Sequence, residues 1–370
     1  MKIAIIGTRG IPNYHGGFEQ FAEFFSVFLA EQGHDVFVYN SNTHPYRENL
    51  YKGVNIVHCY DPENKMGAAG QFIYDLNCIL DSRKQGFDVI LQLGYTSSSI
   101  WHWLLPKNSI IVTNMDGLEW KRSKYSKKVQ RFLLYAEKLA IKSSDYLVSD
   151  SIGIQEYIKS KYEKKSKYIA YGADVFLTPN KDVLNKYDVK NHEYNMLIAR
   201  LEPENNIEII LDGVNESSEQ TPFLVIGKHD VNKFGTYLKE KYEHNTNIRF
   251  IGGIYNLEEL NNLRYFSNLY FHGHSVGGTN PSLLEAMASN SLIIANDNIF
   301  NKSILNEDAY YFNTPKDVSG FIEKLKKQDN INLLEQNTKK IQNKFSWNLI
   351  NNEYLKLICE VSNSKNCKTN

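Results

Sequence analysis

"MKIAIIGTRGIPNYHGGFEQFAEFFSVFLAEQGHDVFVY", residues 1–39, carries the pattern on which the fold turns. Residues 2–6 (KIAII) form an unbroken apolar run, as expected of a strand buried on both faces. A glycine-rich loop follows. Residues 17–32 (GFEQFAEFFSVFLAEQ) then place Phe and Leu at helical spacing, and DVFVY at 35–39 is a second strand. Strand, loop, helix, strand makes a βαβ unit, and its two strands must lie parallel.

The pattern recurs. NIVHCY (55–60), DVILQLG (88–94), SIIVTNMD (109–116) and DYLVSD (145–150) extend a first sheet. YIAYGADVF (168–176) reads as a boundary, and the stretch after it is polar. NMLIAR (195–200), PFLVIGK (222–228), IRFIGG (248–253), LYFHGH (269–274), SLIIAND (291–297) and AYYFN (309–313) build a second sheet. The expected architecture is α/β: two Rossmann-like, doubly wound parallel-sheet domains facing a cleft, over 1–175 and 176–344. The terminal segment 345–370 is amphipathic and able to pack on either half, including back on the first.

Composition narrows the function. Lys and Arg number 42 and so do Asp and Glu, so no global charge points to nucleic acid. Cys59, Cys78, Cys359 and Cys367 are scattered without a CxxC pair, which argues against a disulfide framework or structural zinc. No metal site is expected. The opening apolar run is too short for a signal peptide, no 18-residue apolar run occurs, and the chain reads as cytoplasmic.

Ligands of such sheets bind at the carboxyl ends of the strands, so the loops there carry the chemistry. In the first loop the glycines have the wrong spacing for a dinucleotide fingerprint, and the second strand ends in Tyr39-Asn40, without a ribose-binding acid. Gly16 and Gly17 either turn the chain or offer amides to an anion or sugar at a helix start. In NMDGLEWKR (114–122), Asp116 either forms an Asp-Gly turn or faces the ligand, and Glu119 and Trp120 suit a sugar acceptor. Residues 121–142 then hold eight Lys or Arg, including Lys121, Arg122, Lys124, Lys127, Lys128 and Arg131, against one acid. Val129, Phe132, Leu133, Ala136 and Leu139 form a helical stripe beneath them. This is either a solvated face or a surface that rests on anionic lipid.

In the second half, Arg200 and Lys228 follow neighbouring strands, where two cations can neutralise a diphosphate. Tyr255, after a Gly-Gly pair, can lie against a base. HGHSVGGTNPSLLEAMA (272–288) places Gly277, Gly278, Thr279, Asn280 and Ser282 at the start of a helix led by Pro281, which suits a phosphate. Glu285, about one turn in, is placed to accept from a sugar hydroxyl.

At these residues the sequence resembles the retaining glycosyltransferases of family 4, with the GT-B fold. It resembles most a subgroup of bacterial surface-polysaccharide enzymes that includes rhamnosyltransferases. The motifs are GTRGIPNYHGGFEQF, NMDGLEWKR, ARLEPENN and HGHSVGGTNPSLLEAMA, with FSWNLINNEY near the end. The resemblance implies that Gly16 and Gly17 lie near donor phosphates or acceptor, that Arg200 binds the diphosphate, and that Glu285 binds the nucleotide ribose. The family's lysine falls on Asn205, with Lys228 as its substitute. Its first glutamate falls on Gly277, leaving donor-sugar contact to His272 or His274. Asp116 occupies the region of a family histidine, as a positioning group or auxiliary base. The implied reaction is metal-independent transfer of a sugar, L-rhamnose from dTDP-L-rhamnose, with a UDP-sugar as the alternative donor. The acceptor is a lipid-linked saccharide at the inner face of the cell membrane, in capsule or cell-wall polysaccharide synthesis, so the enzyme is peripherally bound there. No cofactor is implied. A sugar-nucleotide 2-epimerase of the same fold and a catalytically silent partner subunit are the alternatives; a solute-binding protein would be exported.

Overall fold

Apolar strands and the amphipathic helices between them sort into two sheets. The structure, a computed structural model, describes all residues except Asp116, Ser123, Lys124 and 367–370, and no side chains of 364–366. The first compact unit comprises Met1–Lys121, Tyr125–Tyr171 and the terminal helix from Trp347; the second comprises Arg122 and Gly172–Ser346. The chain passes from one to the other between Tyr171 and Gly172, where the sequence suggested residue 175.

In the first unit β1 (Lys2–Ile6), β2 (Asp35–Ser41), β3 (Leu50–Tyr51), β4 (Val54–Cys59), β5 (Val89–Leu93), β6 (Ile110–Asn114), β7 (Tyr146–Ser149) and β8 (Lys167–Tyr168) lie in the order 3-4-2-1-5-6-7-8. All pairs are parallel except β3 with β4, a small hairpin that the sequence pattern did not reveal. The order reverses between β1 and β5. Ile3, Ala4 and Ile5 are fully buried, and the helix Gly17–Glu31 turns Phe21, Phe25 and Leu29 inward. Each of the buried Ile, Phe and Leu side chains contributes about 1.5–3 kcal/mol by leaving water. The terminal helix Trp347–Asn366 completes this unit: Trp347 stacks on Phe24 at 4.6 Å, Tyr354 packs on Phe21 at 4.6 Å, and Asn114 Nδ2 donates to Tyr354 Oη at 3.0 Å.

The second unit holds β9 (Asn195–Ile198), β10 (Phe223–Ile226), β11 (Ile248–Gly252), β12 (Tyr270–His272), β13 (Ile293–Asn296) and β14 (Tyr310–Phe312) in the order 11-10-9-12-13-14, all parallel. Here the order reverses between β9 and β12. At such a switch point the flanking loops leave the sheet on opposite faces and open a crevice.

Candidate active site

The loops at the second switch point are stitched together. After β9 the chain turns through Arg200 and a short helical turn to Asn206. Asn206 Nδ2 donates to the Gly273 carbonyl at 2.8 Å, and Ser275 Oγ donates to the Glu204 carbonyl at 2.7 Å. Position 273 must be glycine, since a Cβ there would sit 2.0 Å from the Asn205 carbonyl oxygen. Asn205 donates to the Arg200 carbonyl at 2.7 Å, so a buried amide braces this loop where the family places a lysine. Arg200 itself is exposed, and its guanidinium makes no ion pair among the described residues.

The loop after β12 carries the glycines. Gly277 has φ 137°, a backbone that L side chains rarely adopt, with open space where a Cβ would be. Among the described residues, the Gly277 and Gly278 amides donate to nothing. The helix Pro281–Ala288 follows, and its own first turn is closed. Asn280 Oδ1 accepts from the Ser282 amide at 2.9 Å, and the Asn280 carbonyl accepts from Leu283 and Leu284. Within 277–282 the Ser282 amide is thus already bonded and Pro281 has none, which removes both from an anion receptor built of amides there. Thr279 is buried. The Ser282 hydroxyl lies 2.8 Å from Tyr270 Oη and accepts from Arg264 Nη2 at 3.2 Å, so it is engaged in the interior.

Glu285 stands behind the glycine loop with 14% of its side chain exposed, and Arg264 Nη2 meets its Oε2 at 2.5 Å. His272 is buried, neither ring nitrogen has a hydrogen-bond partner among the described residues, and its ring stacks on that of His274 at 4.5 Å. Burial, with Arg200 and Arg122 nearby, pushes His274 down to about 3, and burial beside His274 and Arg264 holds His272 well below the usual imidazole range. Both rings are neutral at physiological pH. His274 therefore offers hydrogen bonds to a ligand and not a positive charge. Lys228 follows β10 and is exposed; its Nζ lies 5.3 Å from the ring centroid of Tyr255, which is itself half exposed. Along one sheet edge the second unit thus sets Tyr255, Lys228, Arg200 and the glycine pair in strand order.

Two functional candidates were not singled out from sequence. Arg264 sits in the helix Leu257–Phe266, 1% exposed. Its spacing from Leu260 and Leu263 marks the buried face of that helix, an available signal. Glu204 is buried, neither carboxylate oxygen has a hydrogen bond among the described residues, and Arg122 Nη1 lies 3.6 Å from Oε1.

The first unit distributes its candidates differently. Gly16 caps the helix Gly17–Glu31, but its amide already donates to Asn13 Oδ1 at 3.1 Å. Gly17 opens that helix. Asp116 lies outside the described residues, as does Lys124. Glu119 and Trp120 form a short helical turn, and Trp120 lies against Tyr157 with the ammonium groups of Lys121 and Lys161 over its ring. Arg122 is largely buried against Glu204 and does not share the exposed basic face. Lys121, Lys127, Lys128 and Arg131 are exposed. The helix Lys127–Ser143 buries Leu133, Ala136, Ala140 and Ile141, while Val129, Phe132 and Tyr135 face outward beside the cations. The stripe read from the sequence therefore splits, with Val129 and Phe132 on the outer side.

Two doubly wound parallel sheets, the second with Arg200 and the Gly277 and Gly278 amides beside its switch point, make the GT-B fold. Residues 184–346 match the family described as glycosyl transferases group 1, and residues 1–174 match a domain of unknown function, DUF1972. The second unit carries a domain that matches that transferase family, and the chain has the GT-B fold. No curated protein matches the chain by sequence. Among solved structures it resembles sucrose-phosphate synthase from Thermosynechococcus elongatus, with TM-score 0.79, 16% identity and 98% and 99% of the two chains covered. It also resembles Anabaena Alr3699/HepE in complex with UDP-glucose (TM-score 0.73, 14% identity, 98% and 99% covered). WaaG, a glycosyltransferase involved in lipopolysaccharide biosynthesis, aligns with TM-score 0.71 and 13% identity over 96% and 99%. At these identities the likeness is one of fold.

Proposed function

We propose that the protein moves a sugar from a nucleotide donor, with retention and without a metal, onto a lipid-linked saccharide at the inner face of the cell membrane. The donor proposed from the sequence resemblance is dTDP-L-rhamnose; the neighbour with bound UDP-glucose favours keeping a UDP-sugar as the alternative. One observation carries the reading. Arg200, with no ion pair among the described residues, and the Gly277 and Gly278 amides, bonded to none of them, lie on the two loops that flank the switch point of a sheet whose sequence matches a transferase family.

Cleavage of a sugar–phosphate bond leaves positive charge on the ring and negative charge on the departing diphosphate. Donors already aimed at that charge lower the barrier, by about 3 kcal/mol for each one. Arg200 and the glycine amides take this role, with Lys228 for the outer part of the donor and Tyr255 beside the base. Glu285 receives ribose hydroxyls. His274, neutral, hydrogen-bonds the donor sugar where the family's first glutamate is replaced by Gly277. The acceptor hydroxyl attacks the face that the phosphate leaves, and a phosphate oxygen takes its proton. The basic helix with Val129, Phe132 and Tyr135 outward supports the membrane role, since interfacial helices combine cations with apolar side chains.

The test is turnover of the purified chain with a panel of nucleotide sugars. Release of dTDP from dTDP-L-rhamnose supports the donor; release from a UDP-sugar alone replaces it. No release from any donor, with nucleotide still bound, would identify a silent partner subunit, and an epimerised donor an epimerase.

A further inference from the structure

We propose that Arg264 is a positioning residue that sets the carboxylate of Glu285 for the donor ribose; this rests on the reading of Glu285 given above. Arg264 reaches Glu285 from behind, out of the helix Leu257–Phe266. Its Nη2 meets Glu285 Oε2 at 2.5 Å and donates to Ser282 Oγ at 3.2 Å, while Nη1 donates to Asn261 Oδ1 at 2.9 Å. Ser282 Oγ is tied in turn to Tyr270 Oη at 2.8 Å. The guanidinium lies 6.0 Å from the ring centroid of Tyr270. Every anchor belongs to a buried or half-buried side chain, so the fork has one orientation.

Stability does not account for this arrangement. Burying an ion pair costs desolvation that an apolar pair of similar size avoids. Arg264 Nε is buried with no acceptor among the described residues, a further penalty. The cation also stands over the first turn of the helix Pro281–Ala288, where the helix dipole disfavours positive charge. What the arrangement provides is a fixed direction. A glutamate has three rotatable side-chain bonds, and binding a ribose with a mobile one loses rotamer entropy on every encounter. Arg264 holds one oxygen from the interior side and so orients the carboxylate before the nucleotide arrives. A planar, forked donor is suited to this; a lysine ammonium is a point charge and cannot hold Glu285, Ser282 and Asn261 in one plane.

The experiment is calorimetric titration of the full chain with dTDP and with UDP, the tighter of the two being followed through the variants, and, separately, with inorganic pyrophosphate. Glu285→Gln is expected to weaken the nucleoside diphosphate about tenfold, the scale of one hydrogen bond to a charged group. Arg264→Met should weaken it by a similar factor, Arg264→Lys by less, and Arg264→Met with Glu285→Gln by no more than either alone. Pyrophosphate affinity should be unchanged in all four. Should Arg264→Met not fold, Arg264→Lys carries the test through the same non-additivity. Wild-type nucleotide affinity in the Arg264 variants while Glu285→Gln is weakened overturns the proposal and leaves the ribose reading standing. Additive losses, or an equal loss of pyrophosphate, overturn it as well. A Glu285→Gln protein with full nucleotide affinity removes the ribose reading, and this proposal with it.

Discussion

The loops at the two switch points begin alike, as glycine-rich turns after a buried strand, and end in opposite states. After β1, five amides are spent. Arg9 donates to Glu19, Ile11 to Asn40, Asn13 to Glu23, and both His15 and Gly16 to Asn13. The surroundings are acidic: Glu19 and Glu23 lie on the following helix, and Arg9 is already paired with Asp61 and Glu63. After β12, among the described residues, the Gly277 and Gly278 amides donate to nothing and Arg200 makes no ion pair, and the histidine beside them is neutral. Glycine content alone does not make an anion receptor. The deciding feature is whether carboxylates and Asx side chains have already taken the N–H groups.

The comparison breaks most directly at Arg200. Arg200→Ala should lower kcat by about 10²–10³-fold with a folded protein, the loss seen when one transition-state donor is removed. A fall below tenfold would remove the second loop's advantage. Gly277→Val comes next. Its φ of 137° is strained for any L residue, by roughly 1–3 kcal/mol, so the loop should shift and nucleotide affinity fall by about tenfold or more. Gly16→Ala tests the other side: its φ of 179° suits any residue and its amide is already bonded, so turnover should stay within about twofold, because the residue acts in a cap worth a few tenths of a kcal/mol.

The histidine pair gives a pH test. The folded pKa of His274 lies near 3, below the unfolded 6.5, and that of His272 is depressed as well. Stability from these groups is complete above about 6.5 and is lost as pH falls toward 3, because the unfolded chain takes up protons that the folded chain refuses. Thermal unfolding should show a falling Tm from pH 7 to pH 5, with a shallower slope in His272→Gln/His274→Gln. An equal slope in that variant would place the titration elsewhere. A separate effect is expected on the membrane face. Replacing Lys127, Lys128 and Arg131 with Gln should lose about 1 kcal/mol of anionic-vesicle binding per charge and leave soluble-donor hydrolysis unchanged. Unchanged vesicle binding would refute that face.

Much of the fold was legible because buried parallel strands write themselves as short apolar runs. The strands from β1 to β14 fall on the predicted segments except β3 and β8, each two residues long and set by local turn geometry rather than by a hydrophobic period. The site was legible in part. Arg200, Gly277, Gly278 and Glu285 were visible because each follows a strand. What stayed hidden was pairing across distance: nothing in the sequence links Arg264 to Glu285, or says that Asn280 closes the amide of Ser282. In the basic stretch, helical period alone grouped Val129 and Phe132 with the core. The neighbouring segment Ser98–Leu104, which packs beside that helix, decides which side is covered.

The most direct measurement is a crystal structure of the chain soaked with the nucleoside diphosphate of its donor. The diphosphate oxygens should lie about 3 Å from the Gly277 and Gly278 amides and from the Arg200 guanidinium. A diphosphate bound at the Gly16 loop, or an Arg200 side chain that does not reach it, would contradict the assignment of the anion site to the second sheet.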